Sequence, residues 1–212
     1  MRIAAVIGSV GHSNETLIPL VEQLDEEGIL VAVLDNRGTL NRHDLPIWVD
    51  YANVEGMNIH QVWNRGMNIA QLAGADWCCV LNDDITLDPG APRIAAAACP
   101  EDVWIAGFDY EGHEDLKLRD AGGSYRLHGV GGFAFMIRPE VGLRYDSRFQ
   151  WWGGDDDLIW ECLARGGRAV VVEGANVSHP DGGNTSGRFY PELMEKVGAD
   201  RELLMEKWNK AW

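Results

Sequence analysis

The chain has 212 residues, 46 % of them hydrophobic, enough for one large domain with a real core. Eighteen Lys and Arg against 33 Asp and Glu leave a formal charge of −15. That balance argues against tight binding to duplex nucleic acid, which draws on counterion release by basic side chains, and against an anionic membrane surface. It suits a site that recruits a cation to hold an anionic substrate. No apolar run is long enough to span a bilayer, and the stretch before the first strand is too short and too weakly charged for a signal peptide. A soluble, cytoplasmic protein is expected. The four cysteines (Cys78, Cys79, Cys99, Cys162) have no CxxC or framework spacing and read as reduced core residues.

Ile3 to Ile7 predicts a buried strand stopped by Gly8-Ser9. Ser13 and Asn14 can cap a helix with the apolar stripe Leu17, Leu20, Val21, Leu24, ended by Gly28. Ile29 to Leu34 is a second strand finishing in Asp35-Asn36, so the chain opens on a right-handed β-α-β unit. Asp35 at that strand end either hydrogen-bonds part of a nucleotide or makes an Asx-turn into Asn36-Arg37-Gly38. Residues 39–57 are irregular, with a short apolar piece at Ile47-Trp48-Val49. Asn58 then caps a helix carrying Ile59, Val62, Trp63, Met67, Ile69 and Leu72, closed by Gly74. Asn64, Arg65 and Asn68 on that helix are solvated on one reading; on the other, Asn64 faces a ligand.

The stretch Trp77-Cys78-Cys79-Val80-Leu81 reads as a buried strand ending abruptly in Asn82-Asp83-Asp84. Strands apolar on both faces belong to parallel sheets, whose ligands sit at the carboxyl ends of the strands. Adjacent carboxylates there are either a solvated turn or the holder of a divalent cation bound to a diphosphate. An Ala-rich helix ending at Cys99-Pro100, a strand at 103–108, a hairpin over 116–127 and a strand at 133–137 follow. Gly131-Gly132 before the last of these either lets a ligand approach the backbone or makes a tight turn.

Trp151-Trp152-Gly153-Gly154-Asp155-Asp156-Asp157 precedes a helix ended by Gly166-Gly167. At about 100° per residue, Asp155 falls within the inward stripe, Asp156 about a quarter-turn away, and Asp157 on the solvated side. Acids in a first turn are favoured by the helix dipole. The preceding Trp pair adds a flat surface of the kind that stacks on a sugar ring. His179 follows the strand 169–172 and opens a Gly-rich loop, 181–187; it is either a surface residue or a metal ligand. The tail reads as two helical pieces, Pro191 to Val197 and a second capped by Asp200, with a role in packing or self-association only.

In this order the pieces resemble a GT-A glycosyltransferase, most like the inverting family 2 and its β-1,4-galactosyltransferase-type relatives, from the first strand to His179. Asn82-Asp83-Asp84 is similar to the family's DxD motif, and Trp152 to Asp157 to its W-G-G-E-D-D, with Asp155 in place of Glu. The resemblance implies an α/β GT-A fold in one domain: a nucleotide-sugar-binding half (1–100), an acceptor and catalytic half (101–188) and a helical tail (189–212). It implies Mn²⁺ or Mg²⁺ held by Asp84 and His179, the nitrogen ligand favouring Mn²⁺. It implies Asp156 as catalytic base with Asp155 beside it. Gly8, Ser9, Asp35, Asn64, Asn82, Asp83, Gly131, Gly132 and Trp152 are then expected around a nucleotide sugar, UDP-linked by family weight. The acceptor would be a hydroxyl on a glycan, protein or small molecule, with a modified DNA base the least suited to the charge; a homo-oligomer is open. A nucleotidyltransferase and a non-catalytic sugar- or metal-binding module are the alternatives. The first usually has a basic loop after its first strand, and residues 8–13 here contain no Lys or Arg.

Overall fold

Seven consecutive buried residues, hydrophobic save for Gly8 and Ser9, form β1 (Ile3–Ser9), and its alternate side chains feed opposite cores. Ile3, Ala5 and Ile7 join one core, while Ala4 and Val6 join the other. The computed structural model describes residues 1–9, 14–38, 40–46, 49–122, 129–179 and 191–209. After β1 come α1 (Asn14–Glu26), β2 (Leu30–Asp35), β3 (Asp50–Asn53), α2 (Ile59–Leu72), β4 (Trp77–Asn82), β5 (Thr86–Leu87), α3 (Ala91–Ala98) and β6 (Val103–Asp109). Then follow β7 (Lys117–Asp120), β8 (Ala134–Ile137), α4 (Gly154–Ala164), β9 (Arg168–Ser178) and α5 (Pro191–Trp208).

The strands order as β3-β2-β1-β4-β8-β6-β9-β5, with β7 on β9. β3, β2, β1 and β4 run parallel; β8 enters antiparallel between β4 and β6, and β9 returns parallel to β6. Helices α1 and α3 cover one face through Leu17, Leu20, Leu24, Ala91 and Ala95. Helices α2 and α4 cover the other through Val62, Met67, Leu158, Ile159 and Cys162. The result is an α/β/α sandwich, in keeping with the α/β GT-A fold that the resemblance implies, and all four cysteines are free and buried as read. Helix α2 sits close because Gly66 has no side chain: a Cβ there would come 2.0 Å from Val6 Cγ1.

Several elements differ from the sequence reading. β9 runs eleven residues rather than four, because past a bulge it pairs again with β6 at Asn176 and then with β5, a two-residue strand too short to show a pattern. β3 is half-exposed and polar, which hid it. β7 pairs antiparallel with β9, and the return arm of the hairpin lies outside the described residues, as do Ser13, Ile47, Trp48 and the 181–187 loop. The tail is one continuous helix rather than two pieces. Asn58 caps α2 as expected, in a capping box with Gln61. Among the described residues no helix is long and apolar enough to cross a membrane.

Candidate active site

One edge of the sheet collects every candidate cluster. The carboxyl ends of β1, β2 and β4 lie side by side, with Gly8 opposite Asn82 and Ser9 opposite Asp35. Because β8 is antiparallel, it begins where β4 ends: Ala134 is opposite Leu81, and Asn82 N–H donates to the Phe133 carbonyl at 2.8 Å. β9 delivers His179 to the same edge, since Ser178 pairs with Thr86 two residues beyond Asp84.

At this edge His179 Nε2 lies 3.3 Å from Asp84 Oδ1, and Asp84 is only 6 % exposed. The His179 nitrogen is buried and makes no hydrogen bond among the described residues. Phe133 stacks on its ring at 4.4 Å and 21°, which fixes the ring's orientation. Neighbouring ligand atoms on an octahedral cation with bonds of about 2.1 Å sit about 3 Å apart, so this O/N pair has the spacing of two adjacent ligands. Asp83 turns the other way. Its Oδ2 accepts the Ser9 hydroxyl at 2.5 Å, and its carbonyl accepts the Thr16 hydroxyl at 2.6 Å. Ser9 thus orients the acidic turn.

The second cluster begins at Gly153, which caps α4 in the left-handed region at φ 70. Gly154 lies against His60 of α2, where a Cβ would stand 2.1 Å from Nε2. His60 Nδ1 donates to the Phe149 carbonyl at 2.9 Å, and burial lowers the pKa of the ring despite the nearby Asp155. Asp155 points inward as expected and abuts Gly132, whose Cβ would meet Asp155 Oδ2 at 2.7 Å. Its neighbours include Ile105, Val130, Phe135, Tyr145, Leu158 and Ile159. Burial raises the Asp155 pKa, against the pull of two first-turn N–H groups and His60. Asp156 is 6 % exposed in the same turn.

The two clusters meet through two residues. Gly132 touches Asp155, and the next residue, Phe133, stacks on the His179 that faces Asp84. Gly131 allows the fold-back, since a Cβ there would strike the Phe133 ring at 2.6 Å. Protein contacts therefore account for both glycines.

Other expected contacts took structural places. Asp35 is fully buried, and its carboxylate accepts from Arg37, Gly38 and Leu40 N–H and from the Tyr51 hydroxyl at 2.8–3.1 Å, so the Asx-turn reading holds. Asn64 is half-buried, and its side chain clasps both the N–H and the carbonyl of Tyr145, each at 2.8 Å. Gly8 backs onto Trp63 Nε1. Asp157, expected in solvent, is 1 % exposed and takes Lys207 Nζ at 2.8 Å and Trp208 Nε1 at 2.8 Å. Trp152 does stand out, 39 % exposed. His60, Thr16, Phe133 and Tyr145 were missed because each reads as ordinary helix or core and gains its role from a distant partner. Asn58, read in the sequence as a cap, also donates its amide to the Ser147 and Phe149 carbonyls and so ties α2 to the segment before α4.

No protein-family model matches the chain, and no curated protein matches it in sequence. Solved structures do resemble it. A197 from STIV is 13 % identical with a TM-score of 0.54, over 84 % of this chain and 85 % of that one. The inositol-1-phosphate CTP transferase from T. maritima is 13 % identical with a TM-score of 0.53, over 95 % of this chain and 97 % of that one. A glycosyltransferase involved in glycosylation of the major capsid of PBCV-1 is 16 % identical with a TM-score of 0.49, over 93 % and 100 %. The chain has an α/β fold of the GT-A type, with Asp84 and His179 at the carboxyl edge of the sheet and Asp155 facing it from the first turn of α4.

Proposed function

We propose that the chain is an inverting glycosyltransferase moving a sugar from a nucleoside diphosphate sugar, UDP-linked in the first instance, to an acceptor hydroxyl. One observation carries the reading: the acidic strand end and the acidic helix start, far apart in sequence, are joined through Gly132 and Phe133 at one sheet edge. Asp156 accepts the proton of the acceptor hydroxyl as that oxygen bonds to the anomeric carbon. The carbon–oxygen bond to the diphosphate breaks on the opposite face, its electron pair leaves with the diphosphate, and the configuration inverts. Asp84 and His179 would hold a divalent cation, Mn²⁺ by preference, which would supply positive charge to offset that gathering on the leaving diphosphate. Trp152 offers the acceptor a flat apolar surface.

Incubating the protein with a panel of nucleotide sugars and Mn²⁺, and following nucleoside diphosphate release, tests this. Release from one member of the panel is expected, with no release by Asp156→Asn although it still binds the nucleotide. Pyrophosphate release from a nucleoside triphosphate and a sugar phosphate would instead mark a nucleotidyltransferase, and an active Asp156→Asn would remove Asp156 as the base.

A further inference from the structure

Three successive main-chain N–H groups, those of Gln150, Trp151 and Trp152, converge on the Asp200 carboxylate at 2.8, 2.6 and 2.7 Å. A row of N–H groups turned to one point is an anion site. Here the anion comes from α5, and it is 2 % exposed. The same face of α5 continues as Leu204, Lys207 and Trp208, at i+4, i+7 and i+8. Leu204 packs on Phe149 and Trp160, and it lies against Gly153, where a Cβ would meet its Cδ2 at 3.4 Å. Lys207 and Trp208 both bind Asp157 of α4. Helix α5 thus grips the Trp-Trp-Gly-Gly turn on one side and the first turn of α4 on the other.

We propose that Asp200 is a positioning residue for the acceptor side of the site, an inference that rests on the glycosyltransferase reading above. Gln150 to Trp152 lie outside any helix or strand, and two glycines follow them. The segment that presents the Trp152 indole and leads into Asp156 therefore depends on an outside anchor. Two carboxylate oxygens satisfy the three donors. An amide offers one acceptor oxygen and turns an NH₂ toward N–H groups, leaving buried donors unpaired. Glu keeps the charge but displaces it by one methylene.

The test uses protein labelled with 5-fluorotryptophan, its Trp152 ¹⁹F resonance assigned by loss in Trp152→Phe, with UDP binding in Mn²⁺ followed by calorimetry. Asp200→Asn is expected to shift or split the Trp152 resonance and leave that of Trp77, in the core strand β4, in place. Asp200→Glu is expected to restore a single line nearer the wild-type position. UDP affinity is expected to stay within about twofold in both variants, well inside the tenfold that 1.4 kcal/mol represents. An unmoved Trp152 line in Asp200→Asn, an equal displacement of Trp77, or a loss of UDP affinity beyond about tenfold would each overturn the assignment. Wild-type protein that ignores UDP would remove UDP as the donor nucleotide, and with no diphosphate released from any nucleotide sugar the glycosyltransferase reading goes too, while the Trp152 line still reports whether Asp200 sets the turn.

Discussion

Phe133 lies parallel to the His179 ring, 4.4 Å away, and so holds the imidazole with Nε2 3.3 Å from Asp84 Oδ1. The residue before Phe133 supports Asp155. A two-residue step on β8's leading edge therefore ties the strand-end acid to the helix-start acids.

Removing either member of the Asp84–His179 pair should uncouple nucleotide binding from metal. UDP is expected to raise the melting temperature of the wild type only with Mn²⁺ present, by mass action on the folded state. His179→Ala and Asp84→Asn should lose that increment and keep the fold. An undiminished Mn²⁺-dependent shift in either variant would show that the cation is held elsewhere.

Gly154 is demanded by His60. Adding a methyl there places carbon 2.1 Å from Nε2, so α4 must move away from α2. Gly154→Ala should cost about 1–3 kcal/mol, the usual range for overpacking. Gly198→Ala in α5 meets nothing within 4 Å and should be neutral or stabilising by about 0.5–1 kcal/mol. Adding His60→Ala should recover part of the Gly154→Ala loss. Urea unfolding of the wild type, Gly154→Ala, His60→Ala, the double variant and Gly198→Ala checks this, and additive costs for residues 60 and 154 would refute the contact.

Asp155 has a pKa raised mainly by burial. A carboxyl whose folded pKa exceeds its unfolded one contributes stability that is fully present below the unfolded value, near 4, and lost as pH rises through the raised value. Asp155→Asn removes that loss. The variant should therefore melt above the wild type at pH 7.5, and the difference should shrink toward pH 4. Melting curves across this range decide it; a difference that grows on acidification has the wrong sign.

The sequence by itself determined the opening α/β elements, the strand end where Asp83 and Asp84 fall, and the helix start where Asp155 falls. Apolar runs of strand length, helical stripes and glycine stops bound β1, α1, β2, α2 and β4 to within a residue or two, because burial on both faces of a parallel sheet leaves a local imprint. The same logic located Asn82-Asp83-Asp84 at a strand end and turned Asp155 inward. What side chains at that edge touch was decided only by tertiary structure. Asp35 and Asn64 are consumed by backbone partners, and Asp157 is buried under Lys207 and Trp208, because a carboxylate or amide carries no sign of whether water, main chain or a distant cation will satisfy it. The antiparallel insertion of β8 and the second half of β9 bring Phe133 and His179 to Asp84. Strand order depends on long-range pairing, and no local pattern of residues encodes it.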